Sequence, residues 1–317
     1  MNRPIDAQEA RELLQCQGPE VHELLQRAHR VRMAERPAVV SLCSIYNAKS
    51  GHCTEDCRFC AQSAHNDVQG VATYDLRSEA QMMAAGAAAQ DHQARHFSIV
   101  TSGLAVDSDA EIERLARTFS RMREELRVLP CASLGNISRH TLQTLKNAGL
   151  TRYHCNLETA ESFYPHICTT RPWKDARDTI VHAKELGLAT CCGGLFGLGE
   201  TLAQRVELLA AVADLDVDSV PINFFHPVPG TRIDNPWPLT PLSCLQIVAV
   251  ARLMMPGKEI RVCGGREYHL RELQSWLLIS GADGLMVGGY LTTQGRQVEN
   301  DLDMVRSAGF ATSFDAP

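Results

Sequence analysis

Apolar residues recur along this chain in two alternating rhythms. Short β-branched or apolar runs at 38–45, 95–100, 127–133, 151–158, 188–196, 219–225, 259–264 and 284–288 read as eight strands. Between them, stretches at 78–93, 109–126, 138–148, 173–186, 202–213, 241–255 and 270–279 carry the spacing of amphipathic helices. Strict strand and helix alternation calls for a parallel sheet, because parallel neighbours need a crossover and the helix supplies it. Eight such units predict a single (β/α)8 TIM-type barrel. An open doubly wound sheet is the alternative, although the GxGxxG turn of the usual dinucleotide fold is missing. Ahead of the first strand, Leu13, Leu14, Val21, Leu24, Leu25, Ala28 and Val31 repeat near a helical period. Residues 1–37 are therefore read as an N-terminal helical segment and 38–317 as the barrel. The Pro-rich run 227–241 follows the sixth strand and reads as a long functional loop.

Composition supports one large folded domain: 317 residues, 44% hydrophobic and 21% charged. Thirty-one Lys and Arg against 37 Asp and Glu leave a net charge of −6. That balance lacks the basic excess that a phosphate backbone or an anionic membrane selects, so neither is an expected partner. No apolar stretch approaches the roughly 18 to 20 residues of a bilayer span, and the start MNRPIDAQEARELLQ lacks the apolar core of a secretion signal. The expected setting is cytoplasmic. Twelve cysteines change the picture, because clustered thiols in a reducing compartment are more often metal ligands or catalysts than disulfides.

Just after the first strand, NAKSGHCTEDCRFCAQSAH contains Cys53, Cys57 and Cys60 in a C-x3-C-x2-C pattern. Three thiolates on a short loop can hold three corners of an iron–sulfur cube and leave the fourth iron open. An open iron can chelate the amino and carboxylate groups of S-adenosylmethionine. The competing reading is a zinc knuckle completed by His52 or His65.

Strand parity sorts the remaining thiols. Cys131 lies on the third strand, Cys191 and Cys192 are neighbours on the fifth and should face opposite ways, and Arg261 and Cys263 share a face of the seventh. Each one could be a small buried filler, but thiols on three separate strands at one barrel end point to a common site. Cys16, Cys43, Cys155, Cys168 and Cys244 read as core or surface residues, with Cys155 pointing away from whatever His154 and Asn156 contact. Gly193, Gly194, Gly197 and Gly199 read as room for close backbone approach, since no helix-opening Lys-Ser/Thr follows them.

The loop motif, with Phe59 before its third cysteine, resembles that of the radical S-adenosylmethionine superfamily. SGHCTEDCRFCAQSAH, YHCNLETAESFYPHICTTR, CCGGLFGLGET, VPINFFHPVPGT, IRVCGGRE and GGYLTTQGR together resemble the biotin synthase family over about residues 38–309. The resemblance implies a 4Fe-4S cluster on Cys53, Cys57 and Cys60, S-adenosyl-L-methionine, and sulfur insertion into dethiobiotin from an auxiliary iron–sulfur cluster. In the family that second cluster is 2Fe-2S, held by three cysteines and an arginine. Cys131, Cys191 and Arg261 match, but the remaining cysteine falls at Ser98, and serine is a poor substitute for a soft thiolate. The departure suggests a variant auxiliary cluster, four-iron, on Cys131, Cys191 and Cys263 beside Arg261, with Cys192 in reserve. The resemblance also assigns Phe59 to the adenine and Asn156 to bridge ribose and the ureido ring. It assigns Asn223 to the substrate, and Arg171 near S-adenosylmethionine unless it is a surface ion pair. Glu158 stands where the ribose-binding aspartate is expected, His154 where a substrate-binding asparagine is expected, and backbone near Thr101 and Ser102 is to receive the methionyl amine. A low-potential flavodoxin- or ferredoxin-type donor, cluster-assembly machinery and a homodimer complete the implied partners. The alternatives are a sister enzyme of the hydrogenase-maturation or methylornithine-synthase type, a structural or metal-sensing zinc protein, and a catalytically inactive dethiobiotin-binding homologue.

Overall fold

The structure, a computed structural model, describes residues 3–233, 236, 238–292 and 295–314. Asp234, Asn235 and Trp237 of the Pro-rich run, and Thr293 and Gln294 of GGYLTTQGR, lie outside the described residues.

All eight expected strand regions form, and they close into a parallel barrel. They are β1 (Val39–Lys49), β2 (His96–Thr101), β3 (Leu129–Ser133), β4 (Arg152–His154), β5 (Ala189–Cys191) with β6 (Gly194–Phe196), β7 (Ser219–Phe224), β8 (Glu259–Val262) and β9 (Gly284–Met286). Neighbours pair in chain order, and β1 pairs with β9 to seal the cylinder. The fifth strand is broken in two: Cys191 on β5 is registered with Ser219, and β6 then resumes beside the far half of β7. The break sits at Gly193, where a Cβ would strike the carbonyl of Pro221, so only glycine lets the two backbones run this close. A last strand, β10 (Ala311–Thr312), pairs with the first two residues of β1 and was not legible in a two-residue run.

The outer ring comprises α3 (Glu79–Asp91), α4 (Asp109–Glu125), α5 (Arg139–Asn147), α6 (Trp173–Glu185), α7 (Leu202–Asp214), α8 (Pro241–Met254) and α11 (Val298–Ser307). Ser78, Thr201 and Thr240 cap α3, α7 and α8 with reciprocal capping boxes, which supply partners for backbone N–H groups that have none within the helix. The helix expected over 270–279 is instead α9 (Arg266–Leu270) and α10 (Trp276–Ile279), separated at Arg271, whose φ of 50° ends the first. α11 forms at 298–307, where the pattern of strands and helices above predicts no element. The N-terminal segment is two helices, α1 (Ala7–Leu13) and α2 (Pro19–Glu35), divided at Gly18. α2 packs Val21, Leu24, Leu25, Ala28 and Val31 inward and lies along α8. Sandwiched between α2 and the barrel wall, α8 is buried from Cys244 through Met254.

Candidate functional site

The cysteine loop leaves the C-terminal end of β1, the end at which barrel sites are built. Cys60 N–H donates to the Cys57 carbonyl at 3.1 Å, and Ala64 N–H to the Cys53 carbonyl at 2.9 Å, so the loop is tied to itself. Asn66 Nδ2 donates to the carbonyls of Cys57 (3.1 Å) and Cys60 (2.8 Å). Arg232, from the long loop after β7, holds Asn66 Oδ1 at 2.8 Å and the Asp56 carbonyl at 2.7 Å. From the other side, Thr169 and Thr170 donate backbone and hydroxyl bonds to the Asp56 carboxylate. These bonds outweigh burial and hold that carboxyl well below the usual carboxylate range. Three thiols on a loop clamped from two sides fit a cubane. The zinc reading is disfavoured: among the described residues no three His, Cys, Asp or Glu side chains are grouped to hold a single metal ion, and the His65 Nε2 is engaged by the Thr54 carbonyl at 3.0 Å.

Below the loop is a cavity of about 650 Å3, within the range of small-molecule sites. Phe59 and Cys60 line its mouth, and Cys131, Cys191, Arg261 and Cys263 line its floor. Parity therefore holds for these strands. It also disposes of the reserve ligand: Cys192 is fully buried outside the cavity, since the Gly193 kink does not turn it inward. One residue read as a bystander belongs here. Cys43 lines the cavity floor, with its thiol within hydrogen-bond reach of Cys263. A second, Cys168, lies against Cys57 beneath the loop, beside Tyr164 and Thr170. Cys155 faces away from the cavity, its thiol 3.4 Å from Asn136 Oδ1.

The floor is charged. Glu259 Oε1 accepts from Arg261 Nη2 at 2.5 Å and its Oε2 accepts from Arg152 Nη1 at 3.1 Å. Burial opposes the charge on Glu259, but the two guanidiniums outweigh it and hold the carboxyl well below its ordinary range. Burial, reinforced by Arg152 and Arg261, keeps His96 neutral down to a pKa of about 2. Burial pushes the Cys131 thiol up to about 12 and Cys191 up to about 11, so both are protonated thiols at neutral pH.

Beyond β4 the inward parity continues through His154, Asn156 and Glu158, all lining the cavity. Gly193 N–H, which can only donate, bonds Asn156 Oδ1 at 3.2 Å and so fixes the amide. His154 Nε2 then donates to the same oxygen at 3.0 Å while Nδ1 accepts from Ser133 Oγ at 3.1 Å. Asn156 Nδ2 donates onward to Glu158 Oε2 at 3.4 Å. Asn156 therefore has its oxygen filled and a single N–H free, so of the donor and acceptor an amide can offer a ligand only a donor remains. Asn223 keeps both: its Oδ1 accepts from Gly264 N–H at 3.0 Å, its Nδ2 donates to the Gly194 carbonyl at 3.2 Å, and one lone pair and one N–H remain. Glu158 stands at φ 66°, an uncommon conformation for a side-chain-bearing residue, and its carboxyl is raised by burial.

Arg171 is no surface ion pair. It is largely buried and donates from Nε to Tyr164 Oη at 2.9 Å, within electrostatic reach of Cys57 and Glu158. Thr101 and Ser102 do not line the large cavity. Ser102 faces a second hollow of about 320 Å3, lined also by Lys49 and Asp107, and its hydroxyl is committed to the Gly51 carbonyl at 2.9 Å.

Comparison with known proteins agrees with this geometry. Residues 49–212 match the Radical SAM superfamily and residues 221–311 the Biotin and Thiamin Synthesis associated domain. The chain is 47% identical over 308 residues to the biotin synthase of Citrifermentans bemidjiense, covering 97% of this chain and 93% of the relative. It is 46% identical over 305 residues to that of Geobacter sulfurreducens, covering 96% and 92%. In fold it superposes on methylornithine synthase with a TM-score of 0.84 at 18% identity, over 98% of this chain and 95% of that one. It superposes on an FeFe-hydrogenase maturase from Carboxydothermus hydrogenoformans with a TM-score of 0.81 at 17% identity, over 99% and 77%. Those two likenesses concern the fold alone, whereas the sequence relatives span nearly the whole chain. The chain belongs to the biotin synthase family of radical S-adenosylmethionine enzymes.

Proposed function

We propose that this chain forms biotin from dethiobiotin within the single cavity shared by its loop thiols and its floor thiols. One observation carries the reading: Cys60 at the mouth and Cys131, Cys191 and Cys263 on the floor open onto the same space. A 4Fe-4S cluster on Cys53, Cys57 and Cys60 supplies, with S-adenosylmethionine bound, the reductive chemistry that makes a carbon radical able to attack an unactivated C–H bond. Cys131, Cys191 and Cys263, beside Arg261, would hold an auxiliary iron–sulfur cluster, four-iron in this chain, as the source of sulfur.

The protein's own work is positional. Asn156 offers an N–H to the ureido carbonyl, and Asn223 offers an acceptor and a donor to the same ring. Glu158 takes the ribose hydroxyls and Phe59 covers the adenine. Arg171, behind the loop, balances the negative charge that gathers on Cys57 and Glu158. The apolar wall of Ile45, Val100, Leu195 and Met286 keeps water from a radical that would attack it. A flavodoxin- or ferredoxin-type donor, cluster-assembly machinery, a homodimer and a cytoplasmic setting belong to this reading on family grounds. Among the described residues no helix is long and apolar enough to cross a membrane.

Anaerobic turnover with dethiobiotin, read by mass spectrometry for biotin and 5′-deoxyadenosine, tests it. Wild type should give both and Cys57→Ala neither. Nucleoside without biotin would favour a sister activity or an inactive binder. Nucleoside from the variant would end the radical reading.

A further inference from the structure

We propose that His154 is a positioning residue that blocks the acceptor of Asn156, so that this amide meets the substrate ring as a donor only. The inference rests on the reading above that dethiobiotin binds in this cavity, and it deepens that reading by naming what fixes the orientation of the ring. His154 lines the cavity and stands where a substrate-binding asparagine is expected, yet it has no polar atom left to offer a ligand. Its Nδ1 is taken by Ser133 Oγ at 3.1 Å and its Nε2 by Asn156 Oδ1 at 3.0 Å. An imidazole has no third nitrogen, so toward the cavity it presents carbon alone.

The direction of the second bond is fixed. Gly193 N–H lies 3.2 Å from Asn156 Oδ1 and can only donate, so the atom it meets is the amide oxygen, and an oxygen there makes Nε2 the donor. The two donors together use both lone pairs of Oδ1. At the other end of the amide, Nδ2 gives one hydrogen to Glu158 Oε2 at 3.4 Å and keeps one. A ring packed against Asn156 must therefore turn its carbonyl toward it, and not an N–H. Asn223 complements this arrangement, because after the bond from Gly264 N–H its Oδ1 keeps a lone pair for the ring N–H. The length of the side chain at position 154 matters. Glutamine reaches about as far as Nε2 and could fill Oδ1, whereas asparagine reaches only about as far as Nδ1 and would keep Ser133 but leave Oδ1 half filled.

The test is the dissociation constant of dethiobiotin on anaerobically reconstituted protein with S-adenosylmethionine present, for wild type, His154→Gln, His154→Asn and His154→Leu. The same series is run with the cyclic guanidine analogue, in which C=NH2+ replaces the ureido carbonyl, and circular dichroism checks folding. His154→Gln should bind dethiobiotin like wild type. His154→Asn and His154→Leu should bind it about tenfold more weakly, because the ligand strips water from a lone pair that then has no partner. Both should also narrow the preference for dethiobiotin over the analogue by about tenfold, since the freed oxygen accepts the analogue's N–H. Wild-type affinity in His154→Asn with weak binding in His154→Gln would overturn the assignment and make position 154 a substrate contact. An unchanged preference between the two ligands in His154→Leu would overturn it as well, and if that variant does not fold, the Gln and Asn pair decides alone. Failure of the wild type to bind dethiobiotin would instead overturn the reading beneath it.

Discussion

His154 is the residue on which the β4 row turns. Burial, reinforced by Arg261 and partly offset by the bond to Asn156, lowers its pKa from 6.5 to about 4. In that interval the unfolded chain takes up a proton that the native imidazole refuses, so stability is complete above the unfolded value and is lost as pH falls toward about 4. Between pH 7 and 5 the loss from this group is about 2 kcal/mol. His154→Gln should flatten the pH dependence of the urea midpoint by about that amount, with His96 still contributing in the same direction. An unaltered slope in the variant would show that the imidazole is not held neutral. The residue scale is also where reading from sequence failed most. The place of Cys43 on the cavity wall is not legible, because an isolated cysteine in an apolar strand reads as filler and because the usual rule, apolar side inward, misleads in a hollow barrel. Here Leu42, against the helices, is fully buried, whereas Cys43, facing the cavity, is less so. Cys168 could not be found at all: it reaches Cys57 through a return loop whose path no local pattern encodes.

At the scale of elements, the eight strands and six of the ring helices were legible because each is long enough to show its period and its cap. The two-residue β10 and the broken α9–α10 pair are too short for that. The break between β5 and β6 was half legible, as a run of glycines with room to spare. Its cause is the approach of Pro221, which lies on another strand. The break therefore has a measurable signature. In Gly193→Ala the new methyl meets a carbonyl that cannot swing aside, and overpacking of this kind costs about 1–3 kcal/mol. The thermal midpoint should fall by about 2–5 °C. Gly257→Ala, which enters open space, should leave it unchanged. Equal midpoints for the two variants would mean that β5 and β6 can part without cost.

For the whole molecule, the N-terminal helices act as the outer cover of α8. Ile5 N–H donates to the Leu253 carbonyl at 3.1 Å, and Arg36 binds Asp283 at 2.6 Å, a carboxylate that also holds Arg252 of α8 at 2.7 Å. Removing residues 1–35 would bare a helix that is apolar all round, with Leu245, Val248 and Leu253 among its buried side chains. The truncated chain should lose its cooperative thermal transition and scatter light at concentrations where the full chain stays monodisperse. A sharp transition at the full-length temperature would show that the barrel stands without its cover.

The seam of the barrel sets an order of events in the life of the chain. Cys43 emerges from the ribosome early and Cys263 late, and the strand that locks them side by side, β9, is later still. The loop bearing Cys53, Cys57 and Cys60 needs only its own turns and the returning Thr169 and Arg232 to take shape. The floor has no shape until synthesis is almost complete. Any group that the floor holds, the auxiliary cluster of the proposed function included, would therefore enter a finished barrel by way of the mouth that the proposed substrate would also use, so loading the floor and binding that substrate would exclude each other.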